Sequence, residues 1–289
     1  MPTTPTAPSR RRINTVLLAL GLAVTSSGLA CTHQAGALNT DSASVDVAHC
    51  QRTIILIDAS SSARSAAMQT TAADLAVRAA VKAAICATDV DVALIAPGRT
   101  YPIVATSDVA PFTPTGGNER TRARRFQADD EHQLRTMVHQ RLHDGYETLT
   151  STPSSIAALT IAAADRSRPG DTVIVITDGV NQDRDLNLNR PLAKGEGATL
   201  AASLPPATLE GRHMTFVGVG EMGSTQTPTA PNGAPAGDAS ASLAADADTH
   251  ETSTRWSNEI REFVAELCHQ SNATTCTVVG SIPTQELLP

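Results

Sequence analysis

The 289-residue chain reads as an α/β protein: a doubly wound, mostly parallel sheet with one antiparallel edge strand and helices on both faces. Three observations point there. Uninterrupted apolar, β-branched runs, Thr53-Ile-Ile-Leu-Ile57 and Thr172-Val-Ile-Val-Ile176, mark strands buried on both faces. Stretches of helical character separate the strands, and such alternation winds a parallel sheet. Aromatic residues make up only 2% of a chain that is 41% hydrophobic, so the core is built of Ala, Val, Ile and Leu, which suits helices packed closely on a sheet.

The folded domain is expected from residue 50 to residue 280. After the strand at Thr53–Ile57, the stretch from Ser65 to Ala87 has high helix propensity with recurring apolar positions. Val90 to Ala96 is a second strand that ends at Pro97-Gly98. Tyr101 to Ala105 returns as the antiparallel edge strand, because Pro102 lacks an N–H and is tolerated only at an edge. Residues 107–128 read as loop, with Arg120, Arg122, Arg124 and Arg125 forming a solvated basic cluster that could attract an acidic partner. Helices follow from about Asp129 to His143 and from about Pro153 to Asp165, the second broken by Pro169-Gly170. Thr172–Ile176 and Met214–Val219 are the next strands. Residues 221–249, rich in Ala, Gly, Pro, Ser and Thr, form a flexible insertion. An amphipathic helix from about Ser253 to Cys268 and a short strand, Thr277–Val279, close the domain, and residues 281–289 form a tail.

Residues 1–31 have the pattern of an export signal: Arg10, Arg11 and Arg12, an apolar stretch from about Val16 to Val24, then small residues up to Cys31. That stretch is short of the roughly 20 residues needed to span a bilayer. Gly28-Leu-Ala-Cys31 resembles the lipobox of bacterial lipoproteins, with Gly28 where an aliphatic residue is usual, and implies lipidation of Cys31. Ser9-Arg-Arg echoes a twin-arginine signal, with Asn14 in place of an apolar residue. Residues 32–49, small and polar without periodicity, suit a tether. The chain is thus expected in the cell envelope as a membrane-anchored lipoprotein, or else secreted or periplasmic, touching the membrane only through an N-terminal lipid or anchor. With Cys31 lipidated, Cys50, Cys86, Cys268 and Cys276 remain as an even set suited to an oxidising compartment. Removal of the signal takes the formal charge from −7 to −10, and so acidic a body excludes nucleic acid as a partner.

The chemistry-bearing feature is the turn Asp58-Ala-Ser60-Ser-Ser62, directly after the first strand. Open α/β sheets place ligands at the carboxyl ends of their strands. One carboxylate and two hydroxyls at alternate positions can line an oxygen-rich cavity of the kind Mg2+ takes. This Asp-x-Ser-x-Ser turn is similar to the metal-ion-dependent adhesion site of the von Willebrand factor A family, which includes integrin inserted domains, and the resemblance extends from about Cys50 to Val279. Two further pieces stand in the family's order: Thr152-Pro153, where the family has a threonine before the third helix, and Thr177-Asp178-Gly179, where it has a second metal-facing aspartate. The resemblance implies Asp58, Ser60, Ser62, Thr152 and Asp178 as the metal site, with Mg2+ as the ion and Mn2+ or Ca2+ as substitutes. It also implies a protein or glycan ligand that gives a carboxylate oxygen to the metal.

An aliphatic residue usually follows that threonine by two, whereas Ser154 stands here, so Ser154 or Thr150 is an alternative ligand. The bland reading of Asp58, Ser60 or Ser62 is a cap for the following helix. In the resembled fold the first helix returns Cys86 to the sheet end where Cys50 enters, which pairs Cys50 with Cys86. Cys268 and Cys276 flank the turn into the last strand and form the simplest second pair; cross-pairing and four buried thiols are the alternatives. The 221–249 segment would emerge on the metal face and gate it, with Glu221 or Asp238 as an internal ligand.

Other motifs carry less. Gly218-Val-Gly220-Glu-Met-Gly223 matches a dinucleotide fingerprint, but no helix follows it to supply an N-terminus for phosphate. His139 and His143 stand one helical turn apart as in zinc metalloproteases, yet Gln140 replaces the catalytic glutamate, leaving a solvated face as the plainer account. There is no Gly-x-Ser-x-Gly elbow, and Asp58 lacks the second aspartate of haloacid dehalogenase-type phosphotransfer. The expected function is metal-dependent binding of a protein or glycan rather than catalysis. The alternative is a structural subunit of an envelope assembly that uses the fold for metal-independent contacts.

Overall fold

A computed structural model describes residues 50–149, 155–181, 186–205, 207–221 and 242–280, with residues 242–252 described by backbone alone. The expected signal with Cys31, the tether, the tail, and Thr150, Thr152, Ser154 and Asp238 lie outside these residues.

In chain order the elements are β1 (Thr53–Asp58), α1 (Ala66–Cys86), β2 (Val90–Ala96), β3 (Arg99–Ala105), α2 (Thr106–Val109), α3 (Glu119–Arg125), α4 (Ala128–Thr148), α5 (Ile156–Arg166), β4 (Thr172–Ile176), α6 (Glu196–Ala202), β5 (His213–Val217), α7 (Ser242–Gln270) and β6 (Thr275–Val279). The six strands are ordered β3-β2-β1-β4-β5-β6. All neighbours run parallel except β3, which pairs antiparallel with β2 and sets Pro102 against Ala93 on the sheet's edge. The expected α/β architecture is therefore the observed one.

Alternation along each strand serves two cores. Ile55 and Ile57 of β1, with Ile174 and Ile176 of β4, face α1 and α4, where Leu75, Leu134, Val138 and Leu142 meet them. Ile54, Leu56, Val173 and Val175 face the opposite layer, built from α5, α6 and α7 with Trp256, Ile260 and Phe263. Both faces of the central strands are thus removed from water, which is why their sequences are continuously apolar. Small residues allow close layering: a Cβ on Gly197 of α6 would lie 2.0 Å from the Glu259 carbonyl of α7.

Several boundaries differ from the sequence reading. The 107–128 stretch is largely helical: α2 leads into a short 3-10 turn at Ala110–Phe112, and α3 carries the arginine cluster. Asn118 caps α3 by accepting from the Thr121 N–H. Arg122 donates to the carbonyls of Ile85 and Cys86 at the end of α1, so this arginine is a tertiary clamp and not solvated loop. Helix α4 runs on to Thr148, since Gly145 and Tyr146 continue its buried stripe beyond His143. Helix α7 begins at Ser242, ahead of the expected start near Ser253, within an Ala-rich stretch of good helix propensity. Helix α6 had no counterpart in the sequence reading.

Two disulfides join Cys50 to Cys86 and Cys268 to Cys276, with Cα separations of 5.5 and 6.1 Å. Such bonds form and persist in oxidising compartments, which is compatible with an exported protein. Among the described residues no helix is long and apolar enough to cross a membrane.

Candidate functional site

The sheet's strand order reverses its winding direction between β1 and β4, which follow one another in space but not in sequence. Ile57 pairs with Ile176, so the next residues, Asp58 and Thr177, emerge side by side at the carboxyl ends of the two strands. This is the crevice where doubly wound folds bind ligands.

The turn after β1 closes on its own aspartate: the Ser60 N–H donates to Asp58 Oδ1 at 2.8 Å. The Thr177 hydroxyl donates to Asp58 Oδ2 at 2.8 Å and accepts from the Gly179 N–H at 3.1 Å, tying the β1 turn to the β4 turn. Ser60 Oγ and Ser62 Oγ lie 3.2 Å apart. The cap of α1 is Ser65, whose side chain accepts from the Met68 N–H. Capping therefore does not account for Ser60 and Ser62, and their hydroxyls face each other on the sheet edge. Asp58 and Ser60 are buried, while Ser62 sits half-exposed at the rim.

Asp178 completes the described part of the cluster. Its Oδ1 accepts from the Val180 N–H at 2.9 Å, whereas its Oδ2 is buried with no hydrogen-bond partner among the described residues. Burial pushes its pKa up, and the adjacent Asp58 charge pushes it further; the Ser62 hydroxyl and backbone N–H groups oppose this more weakly. A buried acceptor without a donor is costly, and two carboxylates brought together resist joint ionisation. Gly179 makes the turn possible with φ of +78°, and a Cβ there would strike Ile260 at 2.5 Å.

A surrounding shell holds the described residues on either side of positions 150–154. Arg64 donates to the Ala59 carbonyl at 2.9 Å and to the Leu149 carbonyl at 2.8 Å, and its guanidinium lies 5.1 Å from the centre of the Tyr146 ring. At the start of α5, Asn181 accepts from the Ile156 N–H at 2.8 Å and Ser155 caps the helix by accepting from the Ala158 N–H. The chain thus leaves Leu149 held to the β1 turn and re-enters at Ile156 held to the β4 turn. The Tyr146 hydroxyl is likewise buried without a hydrogen-bond partner among the described residues. Burial raises the pKa of that hydroxyl and the Asp58 charge adds to the effect, partly offset by Arg64.

Of the residues expected to act, Asp58, Ser60, Ser62 and Asp178 come together. Thr152 and its alternatives Thr150 and Ser154 lie outside the described residues. Glu221 follows Gly220, whose N–H donates to the Asp178 carbonyl at 2.8 Å, and burial raises the pKa of its carboxyl against the opposing charge of Arg261. Thr177, Arg64, Tyr146 and Asn181 were not singled out from sequence. For Thr177 a signal existed, a hydroxyl at the end of the strand beside Asp58; for the others contact in space is the only signal.

Among the described residues no three of His, Cys, Asp and Glu gather to hold a metal. A cation at this turn would rest on two carboxylates with serine hydroxyls. That donor set is hard oxygen throughout, which suits Mg2+ and does not suit the borderline metals that favour imidazole or thiolate. The unpartnered Oδ2 of Asp178 and the mutual charge of Asp58 and Asp178 are two features that a divalent cation would satisfy together. Neither protein-family models nor curated proteins provide a match for the chain.

Proposed function

We propose that the chain is an exported von Willebrand factor A-like binding module that holds Mg2+ through Asp58, Ser60, Ser62 and Asp178, with Thr152 as a further ligand. The observation that carries the reading is the meeting of two buried carboxylates at the sheet's crevice, one of them with an oxygen that has no hydrogen-bond partner among the described residues. Asp58 and Asp178 would supply the charge, Ser60 and Ser62 neutral oxygens, and Thr177 would hold the Asp58 carboxylate in orientation. When bound, the ion supplies Lewis acidity toward a carboxylate oxygen of a protein or glycan partner. Ser62, at the rim, stands where such a partner would approach.

Export is supported by the N-terminal pattern ending in Cys31 and by the two disulfides. The test is calorimetric titration of the full chain with Mg2+ alone. One ion bound per chain, lost in Asp58→Ala and in Asp178→Ala, is the expected result; equal heats from the wild type and both variants would remove the metal from this turn.

A further inference from the structure

We propose a second metal site, separate from the oxygen-lined crevice, on the outer face of α4: an imidazole pair, His139 and His143, that takes a borderline divalent ion of the Ni2+, Cu2+ and Zn2+ class. The two residues are four apart on a helix, so their side chains leave the same face one turn apart, about 5 to 6 Å between Cβ atoms. Both are exposed. Together with His132, Thr136 and Gln140 they line a groove of about 420 Å3.

The helix beneath them is rigid for a visible reason. Leu134, Val138, Leu142 and Tyr146, on the adjoining stripe of the helix, are at most 7% exposed and pack into the core, so the imidazole pair is presented by a fixed backbone. Neighbouring groups that could compete are engaged elsewhere. Arg135 is paired with Asp74 and Glu131 at 3.2 and 3.3 Å, and the Gln140 amide donates to Asp144 at 3.0 Å. His132, two turns before His139, is too far along the axis to share one ion with His143.

Two neutral imidazoles select against Mg2+ and for the later first-row ions. Because no third His, Cys, Asp or Glu joins them among the described residues, the ion keeps open positions. Water fills those positions, or a ligand atom from another molecule does. The two candidate sites therefore differ in the ion they take.

The experiment is calorimetry of the untagged full chain with NiCl2 in excess Mg2+, alongside His139→Ala, His143→Ala, His132→Ala and Asp58→Ala. The expected outcome is one Ni2+ per chain, weakened about tenfold or more by either His139→Ala or His143→Ala, about 1.4 kcal/mol. His132→Ala and Asp58→Ala should leave the Ni2+ affinity as it is, and melting temperatures without Ni2+ should match the wild type in the three histidine variants, whose side chains are exposed. Binding that survives both His139→Ala and His143→Ala overturns the proposal, as does a loss shared equally by His132→Ala.

Discussion

Replacing Asp178 by Asn tests the crevice through stability. Asp178 has an ordinary pKa of 3.8 in the unfolded chain and is pushed up to about 7 when folded. The folded state therefore holds an extra proton between those values. The associated stability is fully present below pH 3.8 and is lost as pH rises to about 7. Each tenfold change in proton affinity is about 1.4 kcal/mol, so the ionised site costs at most about 4 kcal/mol, shared with Asp58 because the two carboxylates titrate as a pair. Asn keeps an acceptor for the Val180 N–H and removes the charge. In chelator at pH 8, Asp178→Asn should melt above the wild type, with each kcal/mol worth about 2 to 4 °C in a domain of this size. At pH 5 the difference should fall to about 1.6 kcal/mol, because the folded wild type is then protonated while the unfolded chain is not, and it should nearly vanish below pH 3.8. Added Mg2+ should then raise the melting temperature of the wild type at pH 8 much more than at pH 5, and that of Asp178→Asn little at either pH. A variant that melts below the wild type at pH 8 in chelator would refute the account of Asp178 as an uncompensated buried charge.

Tyr146→Phe removes a buried hydroxyl with no hydrogen-bond partner among the described residues, so the metal-free protein should gain about 1 kcal/mol in urea denaturation; a loss of stability would show that the hydroxyl has a partner in solution. Gly197→Ala drives a methyl group into the Glu259 carbonyl and should cost about 3 kcal/mol or more, seen as a lowered denaturation midpoint. Reducing the Cys50–Cys86 bond, which spans 36 residues, should cost about 4 kcal/mol in the chain-entropy model, against about 2.6 kcal/mol for Cys268–Cys276, which spans 8. Calorimetric melts of the two double-serine variants would rank them. Asp108→Asn breaks the paired hydrogen bonds from Arg141 that hold the Asp108 carboxyl below its ordinary pKa. A depressed carboxylate stabilises above its unfolded pKa and loses that contribution as pH falls, so this variant's deficit should be present at pH 7 and fade at acidic pH, followed by melts across the range.

The central strands were legible because both of their faces are buried, so their sequences carry no polar interruptions to hide them. Helix α6 was not. Its seven residues sit between Gly195 and Ser203, and its start is secured by the Glu259 carboxylate accepting from the N–H groups of Gly195 and Gly197 at 3.0 Å, a partner more than sixty residues away. Helix α3 was read as loop for a similar reason, since its Arg122 finds its acceptors on α1. At the site, Asp58, Ser60 and Ser62 could be read from their position after a buried strand, and Asp178 from its turn. Tyr146 and Arg64 could not, because nothing local in Gly145-Tyr146 or Ser62-Ala63-Arg64 predicts that the two will stack beside the Asp58 turn. The bonds that assemble the crevice join residues up to 119 positions apart.

Both disulfides lie at the end of the sheet where β1 and β6 begin, opposite the end where Asp58 and Asp178 emerge. A pull between a ligand held at Asp58 and the chain before Cys50 would run along β1. Its load would fall as shear on the ladders to β2 and β4, where rupture requires many hydrogen bonds to give way at once rather than one after another. Cys50–Cys86 would pass part of that tension into α1 at the point of entry. On the proposed reading, the molecule would be wired like a strap anchored at its buckle, stiff along the direction in which a tethered binder would be dragged.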